Sequence, residues 1–152
     1  MTKIIRKFDD PCLSTPCSDL DFKNEDMSFI KIMKEALIMS LSGVGIAASQ
    51  IGVLKNVIVV RPYGNIMETM INPKIISHSE EVTEGIEGCL SYPGVFGNVQ
   101  RFARITVSFI NFKFKEQVSE FSNFPAIVIQ HEVDHNLGIC KVGDIWRKQQ
   151  IK

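Results

Sequence analysis

The chain has 152 residues, with 17 basic and 17 acidic side chains and a formal net charge of zero. Apolar residues make up 45% and charged residues 22%, ordinary for one globular domain that buries its own core, so residues 1–152 read as a single domain. The charge balance argues against a surface built mainly for nucleic acid or anionic membrane, no apolar run is long enough to span a bilayer, and the opening "MTKIIRKFDDP" lacks the apolar stretch of a secretory signal. A cytoplasmic chain with reduced thiols is expected.

Asn24 and Ser28 are candidate caps for a helix that runs to about Leu41. Its Ile30, Met33, Leu37 and Leu41 fall on one face, and Gly43 stops it. "NVIVVRP", from Asn56 to Pro62, is a short β-branched strand ended by Pro62. "METMINP" and "KIISH" read as two further short strands. "EGIEGCLSYPG" reads as a tight, glycine-permitted turn around Cys89. "ARITVSFINF" is the strongest strand, and "EQVSEF" pairs with it across a turn near Lys113–Lys115. Asn123 and Pro125 start a last helix, which runs to about Leu137 with Gly138 as its stop. Helices bracketing short strands fit an α+β domain rather than a parallel α/β sheet.

The last helix carries the chemistry. In "QHEVDH", His131 and His135 stand one turn apart and project from one face. Glu132 sits beside them, able to reach a metal-bound water without being a ligand. Phe124, Ile127 and Val128 share that face and would keep the site dry. A metal there would bring the pKa of its water toward about 7, and the carboxylate would move protons. The same HExxH pattern also occurs by chance on the polar faces of helices in proteins without metal.

Two imidazoles hold a metal poorly, so the spacing asks for a third ligand. Downstream of His135 there is no His or Glu, and the position where a third histidine would fall is Lys141. Asp144 and Cys140 remain there, but Cys140 follows Gly138 by two residues and would have to fold back tightly; it is expected to tolerate change to serine. His78, in the polar stretch "SHSEE", reads as a surface residue. Cys89 is left: as a thiolate it would complete a Cys-His-His set with one open position. A lone cysteine is more often a buried small hydrophobe. "CLSTPC", Cys12 to Cys17, is the one other candidate ligand pair, and no second pair of matching kind accompanies it.

Three segments, "GVGIAASQ" (Gly43 to Gln50), "EGCLS" (Glu87 to Ser91) and "QHEVDH" (Gln130 to His135), together resemble the signature motifs of peptide deformylases, in that family's order. The likeness extends from "DDPCL" to Gly138. It implies an α+β fold in which short antiparallel strands pack around the HExxH helix, with an N-terminal helix. It implies a metal-dependent hydrolase that removes the formyl group from the N-terminal formyl-methionine of nascent polypeptides and releases formate. The implied ion is divalent, Fe(II) as the native metal, with Zn(II), Ni(II) or Co(II) able to occupy the site. Carried over, the ligands are Cys89, His131 and His135, and Glu132 is the general base and acid. The Gln50 amide and the Leu90 backbone N–H form an oxyanion hole. The backbone of Val44, Gly45 and Gly88 holds the peptide extended. Val44, Ile127 and Val128, with Phe124, shape the methionine pocket. A monomer is expected.

The sequence departs from the family in two places. Asn136 stands where an apolar residue is usual; it should face away from the metal and alter packing alone. The chain also ends 17 residues after His135, and "IWRKQQIK" is short for the terminal helix with which bacterial members bind the ribosome, so a weak or altered ribosome association is expected.

Overall fold

The computed structural model describes residues 4–151. Among these, helix α1 spans Phe29–Met39, and seven strands follow: β1 (Gly45–Ala47), β2 (Val57–Val60), β3 (Glu68–His78), β4 (Val82–Cys89), β5 (Tyr92–Phe102), β6 (Arg104–Ile110) and β7 (Glu116–Ser122). Helices α2 (Asn123–Asn136) and α3 (Lys141–Gln150) complete the chain. Five strands form one antiparallel sheet in the order β1-β2-β3-β6-β7, and β4 pairs with β5 in a separate hairpin. This is the expected α+β class.

Strand β2 shows why the sheet lies between helices. All four residues of "VIVV" are buried. Val57 and Val59 pack with Met33, Ala36 and Leu37 of α1, whereas Ile58 and Val60 pack with Ala126, Val128 and Ile129 of α2. Alternate residues of a strand point to opposite faces, and each fully buried Val or Ile contributes roughly 1.5–3 kcal/mol. One strand thus fastens both helices. The N-terminal helix starts after Ser28 as expected, but the Ser28 side chain does not cap it. Asp26 accepts hydrogen bonds from the Ser28 N–H and hydroxyl instead.

Besides Leu41, which lies past the end of α1 at φ 63° and is exposed instead of on the helix's buried face, two expectations are corrected. "METMINP" and "KIISH" are one strand, β3, with register shifts near Asn72 and Ile76. Asn72 takes φ 52°, and its side-chain amide pairs with the Leu20 backbone N–H and C=O, so the proline at position 73 does not end the strand. The second correction concerns "EGIEGC". It is β4, paired from Val82↔Phe102 to Cys89↔Tyr92, and Cys89 closes a strand rather than sitting inside a turn. A Cβ on Gly88 would lie 2.7 Å from the ring of the exposed Phe96, which would have to shift to admit it.

Helix α2 ends as expected, with Gly138 at φ 76°. A Cβ on Gly138 would meet the Ser14 carbonyl at 2.8 Å, so the N-terminal segment seals this turn. Helix α3 then lies on the hairpin: Gly143 meets the Tyr92 ring, Ile145 covers Gly97, and Trp146 packs on Tyr92 and Phe8. The tail is therefore more structured than expected, with Val142 fully buried. Beyond Trp146, Arg147 pairs with Asp9 and Asp144 at exposed positions, where such pairs contribute at most about 1 kcal/mol. Truncation after Trp146 is expected to leave the fold largely intact, with a small drop in thermal midpoint; loss of the cooperative melt would show that the last residues hold α3 in place.

Candidate active site and metal centre

The two histidines of α2 and the end of β4 meet where the sheet and the hairpin adjoin. His135 Nε2 lies 3.4 Å from Cys89 Sγ. His131 Nδ1 bonds to Glu87 Oε1 at 3.0 Å, which turns its Nε2 toward the same point. Ligand atoms of Cys89, His131, His135 and Cys140 all lie within 4.8 Å of one another. Two imidazoles and a thiol converging at this distance suit a borderline-soft divalent ion.

Cys140 corrects the sequence expectation. The left-handed Gly138 reverses the chain, and Cys140 does fold back into the site, 7% exposed. Its Sγ accepts the Gly143 N–H at the start of α3 at 3.4 Å. Cys89 and Cys140 are neighbours, their Sγ atoms within 4.8 Å of each other. A hydrogen bond from Cys89 favours charge on Cys140, and that charge, with burial, pushes the Cys89 thiol well above its ordinary value. An ion bound at this cluster would resolve the conflict, because coordination deprotonates a thiol outright. His78 is exposed as expected and stacks on Phe102, and Cys12 and Cys17 are outside the cluster.

Glu132 is 4% exposed, and its Oε1 has no hydrogen-bond partner among the described residues. Burial pushes its carboxyl up to about 8, which leaves it protonated near neutral pH until a cation arrives to favour the charge. Gly45 makes room for it: a Cβ at Gly45 would meet Glu132 Oε2 at 2.7 Å. Glu132 thus occupies the space that a side chain at position 45 would take.

Gln50 sits in a 3-10 turn, Ala48–Ile51, directly after β1. Its Oε1 accepts the Ala47 N–H at 2.9 Å, which assigns the amide orientation. Its NH₂ group consequently faces the site, 3.6 Å from Cys89 Sγ and 3.0 Å from the Ser91 hydroxyl. Leu90 follows Cys89 between β4 and β5. Val44, Gly45, Gly88, Ile127 and Val128 all line one cleft of about 540 Å³ that opens onto His131 and Glu132. Phe124 lines it too, although it is 48% exposed and does less to dry the site than the helical spacing implied.

The network behind the histidines was not foreseen from the sequence. Arg101 of β5 donates twice to Glu87 and once to Asp134. Burial opposes the Glu87 charge, but Arg101 and His131 outweigh it and hold its carboxyl at about 2. Glu87 is thus a fixed anion that orients the His131 ring. Its place in "EGCLS" two residues before Cys89 was the available signal. Glu87→Gln is expected to weaken metal binding by about 10–100-fold, measured by competition with a chelator; unchanged affinity would leave Glu87 a purely structural anion. Gln130, the first residue of the motif, braces α2 through Phe102 N–H and C=O.

The model of the polypeptide deformylase family matches residues 2–150. The chain belongs to that family. A curated peptide deformylase of Natranaerobius thermophilus is 35% identical over 97% of each chain, and one of Endomicrobium trichonymphae is 37% identical over 97% of this chain and 90% of its own. Among solved structures, a probable peptide deformylase from Synechococcus phage S-SSM7 superposes with TM-score 0.85 at 38% identity, covering 93% of this chain and 97% of the other. A class I type b peptide deformylase from Acinetobacter baumannii, solved with Met-Ala-Ser bound, gives TM-score 0.80 at 31% identity over 91% and 94%. The enzyme is a hydrolase that takes the formyl group from N-terminal formyl-methionine and releases formate. The family is metal-dependent, and a group able to hold an ion is present. No helix among the described residues is long and apolar enough to cross a membrane.

Proposed function

We propose that residues 1–152 act as one catalytic domain, a cytoplasmic monomer, on formylated nascent chains, with Cys89, His131 and His135 as metal ligands. Fe(II) is the proposed native ion, and Zn(II), Ni(II) or Co(II) can replace it. The observation that carries this reading is the convergence of a thiol, two imidazoles, a buried unpartnered carboxyl and the Gln50 NH₂ in one cleft. The ion supplies Lewis acidity, which makes water nucleophilic near neutral pH.

The chain's own groups do the rest. The substrate lies extended along the backbone of Val44, Gly45 and Gly88, with its methionine side chain toward Ile127 and Val128. Glu132 takes a proton from water as the water oxygen bonds to the formyl carbon. Charge then develops on the formyl oxygen, where Gln50 Nε2 and the Leu90 N–H donate to it. The C–N bond breaks, and Glu132 returns the proton to the leaving nitrogen. The Acinetobacter deformylase solved with Met-Ala-Ser bound supports a short peptide beginning with methionine as the ligand. The deciding experiment is formate release from formyl-Met-Ala-Ser by the metal-loaded chain; no release with Fe(II), Ni(II) or Co(II) would end the proposal.

Gln50→Ala is expected to lower kcat by about 10²-fold with little change in KM, because its amide meets charge that exists only in the transition state. A raised KM with an unchanged kcat would make Gln50 a ground-state binder. Ribosome association is proposed to be weak or altered, because α3 is committed to packing against the hairpin.

A further inference from the structure

With the metal held by Cys89, His131 and His135 as proposed above, Cys140 is the one thiol at the site that the chemistry leaves without a task. Its position is built. Gly138 turns the chain, the Ser14–Pro16 backbone packs against that turn, and Val142 and Tyr92 close over the start of α3. Its Sγ is brought within 4.8 Å of each of the other three ligand atoms. An ion with bonds of about 2.3 Å to sulfur and 2.0–2.1 Å to nitrogen makes a tetrahedron with edges of roughly 3.3–3.8 Å. The Cys89–His135 edge, at 3.4 Å, already has that length, and no other edge exceeds 4.8 Å.

We propose that Cys140 is a fourth ligand of this metal, filling the position that a three-ligand site leaves open until water or substrate displaces it. Two thiolates neutralise the charge of a divalent ion. Hydrolysis nevertheless needs one open position, so one ligand must leave. Cys89 ends a paired strand and is flanked by the Gln50 amide and Ser91. Cys140 has a seat off the metal: its Sγ accepts the Gly143 N–H at the first turn of α3, where the helix dipole favours a thiolate. Cys140 is therefore the ligand that releases. A second thiolate also shifts selectivity from Fe(II) toward softer ions such as Zn(II) and Co(II).

The test uses the full chain loaded with Co(II), whose thiolate charge-transfer absorption counts coordinating sulfurs. The wild-type protein is expected to show about twice the intensity per bound ion of Cys140→Ser or Cys140→Ala. Both variants should bind Co(II) at least about tenfold more weakly in competition with a chelator. Acetohydroxamate, a bidentate metal ligand, should lower the wild-type intensity to that of the variants. Equal intensities in all three proteins would overturn the assignment, and an intensity unmoved by saturating acetohydroxamate would overturn the displacement. If both variants fail to fold by circular dichroism, X-ray absorption at the zinc edge of the wild-type protein decides: two sulfurs support the fourth ligand and one refutes it. A wild-type chain that binds one thiolate per Co(II) rejects Cys140 alone, whereas one that takes up no Co(II) also rejects the proposed metal centre.

Discussion

Glu132→Gln is expected to keep its metal and lose turnover by about 10²–10⁴-fold, the range in which positioned acid–base groups act. The glutamine has the same volume and can sit in the same space beside Gly45, so the cleft should survive. What disappears is the group that shuttles the proton between water and the leaving nitrogen. The buried Oε1 without a partner is the structural reason to expect little harm to stability: no hydrogen bond of that atom is lost. Metal content by elemental analysis and formate release on the same sample separate the outcomes. Near-normal turnover in a fully loaded Glu132→Gln protein would remove Glu132 from the chemistry.

Cys89→Ser should cost most of the bound metal and, with it, the activity. A soft charged donor is replaced by a hard neutral one, and the Gln50 and Ser91 contacts that surround the sulfur lose the anion they face. The informative control is Cys12→Ser, in the 3-10 turn Pro11–Ser14 and outside the ligand cluster, which should retain both metal and activity. Cys140→Ser is no longer a neutral control, because the thiol lies inside the cluster. Full metal retention in Cys89→Ser, with loss in Cys140→Ser, would exchange the roles of the two thiols.

The metal helix was legible because its signal is local. A four-residue spacing puts two histidines on one face whatever surrounds them, and Gly138 marks the stop by its conformation. Cys89 was legible by elimination and by family likeness. The hairpin that carries it was not. "TEGIEGC" is rich in glycine and carries two glutamates, which in isolation disfavours a strand. Its strand character comes from the long β5 partner and from Arg101, which neutralises Glu87 across the hairpin. Cys140 was missed for a related reason. Two residues past a helix stop say nothing about where the chain goes next; that depends on Ser14–Pro16 packing against Gly138 and on Tyr92 receiving Gly143. The same applies to β3, where a proline at position 73 suggested a break that the Asn72–Leu20 pairing repairs.

Cys89 and His135 are 46 residues apart in the chain and belong to different parts of the fold, one to the hairpin and one to the helix under the main sheet. Any ion that binds both is a removable cross-link. A covalent link closing a loop of that size would lower the entropy of the unfolded chain by roughly 4 kcal/mol at room temperature, and a tightly held ion acts in the same direction for as long as it stays bound. The hairpin and α2 are also joined by the Arg101–Asp134 and Glu87–His131 pairs and by Gln130 on Phe102, so an ion would reinforce a seam that is already hydrogen-bonded. Loss of the ion would then be felt first as loosening along the seam, visible as faster amide exchange in β4 and β5 than in β2, well before the main sheet opens.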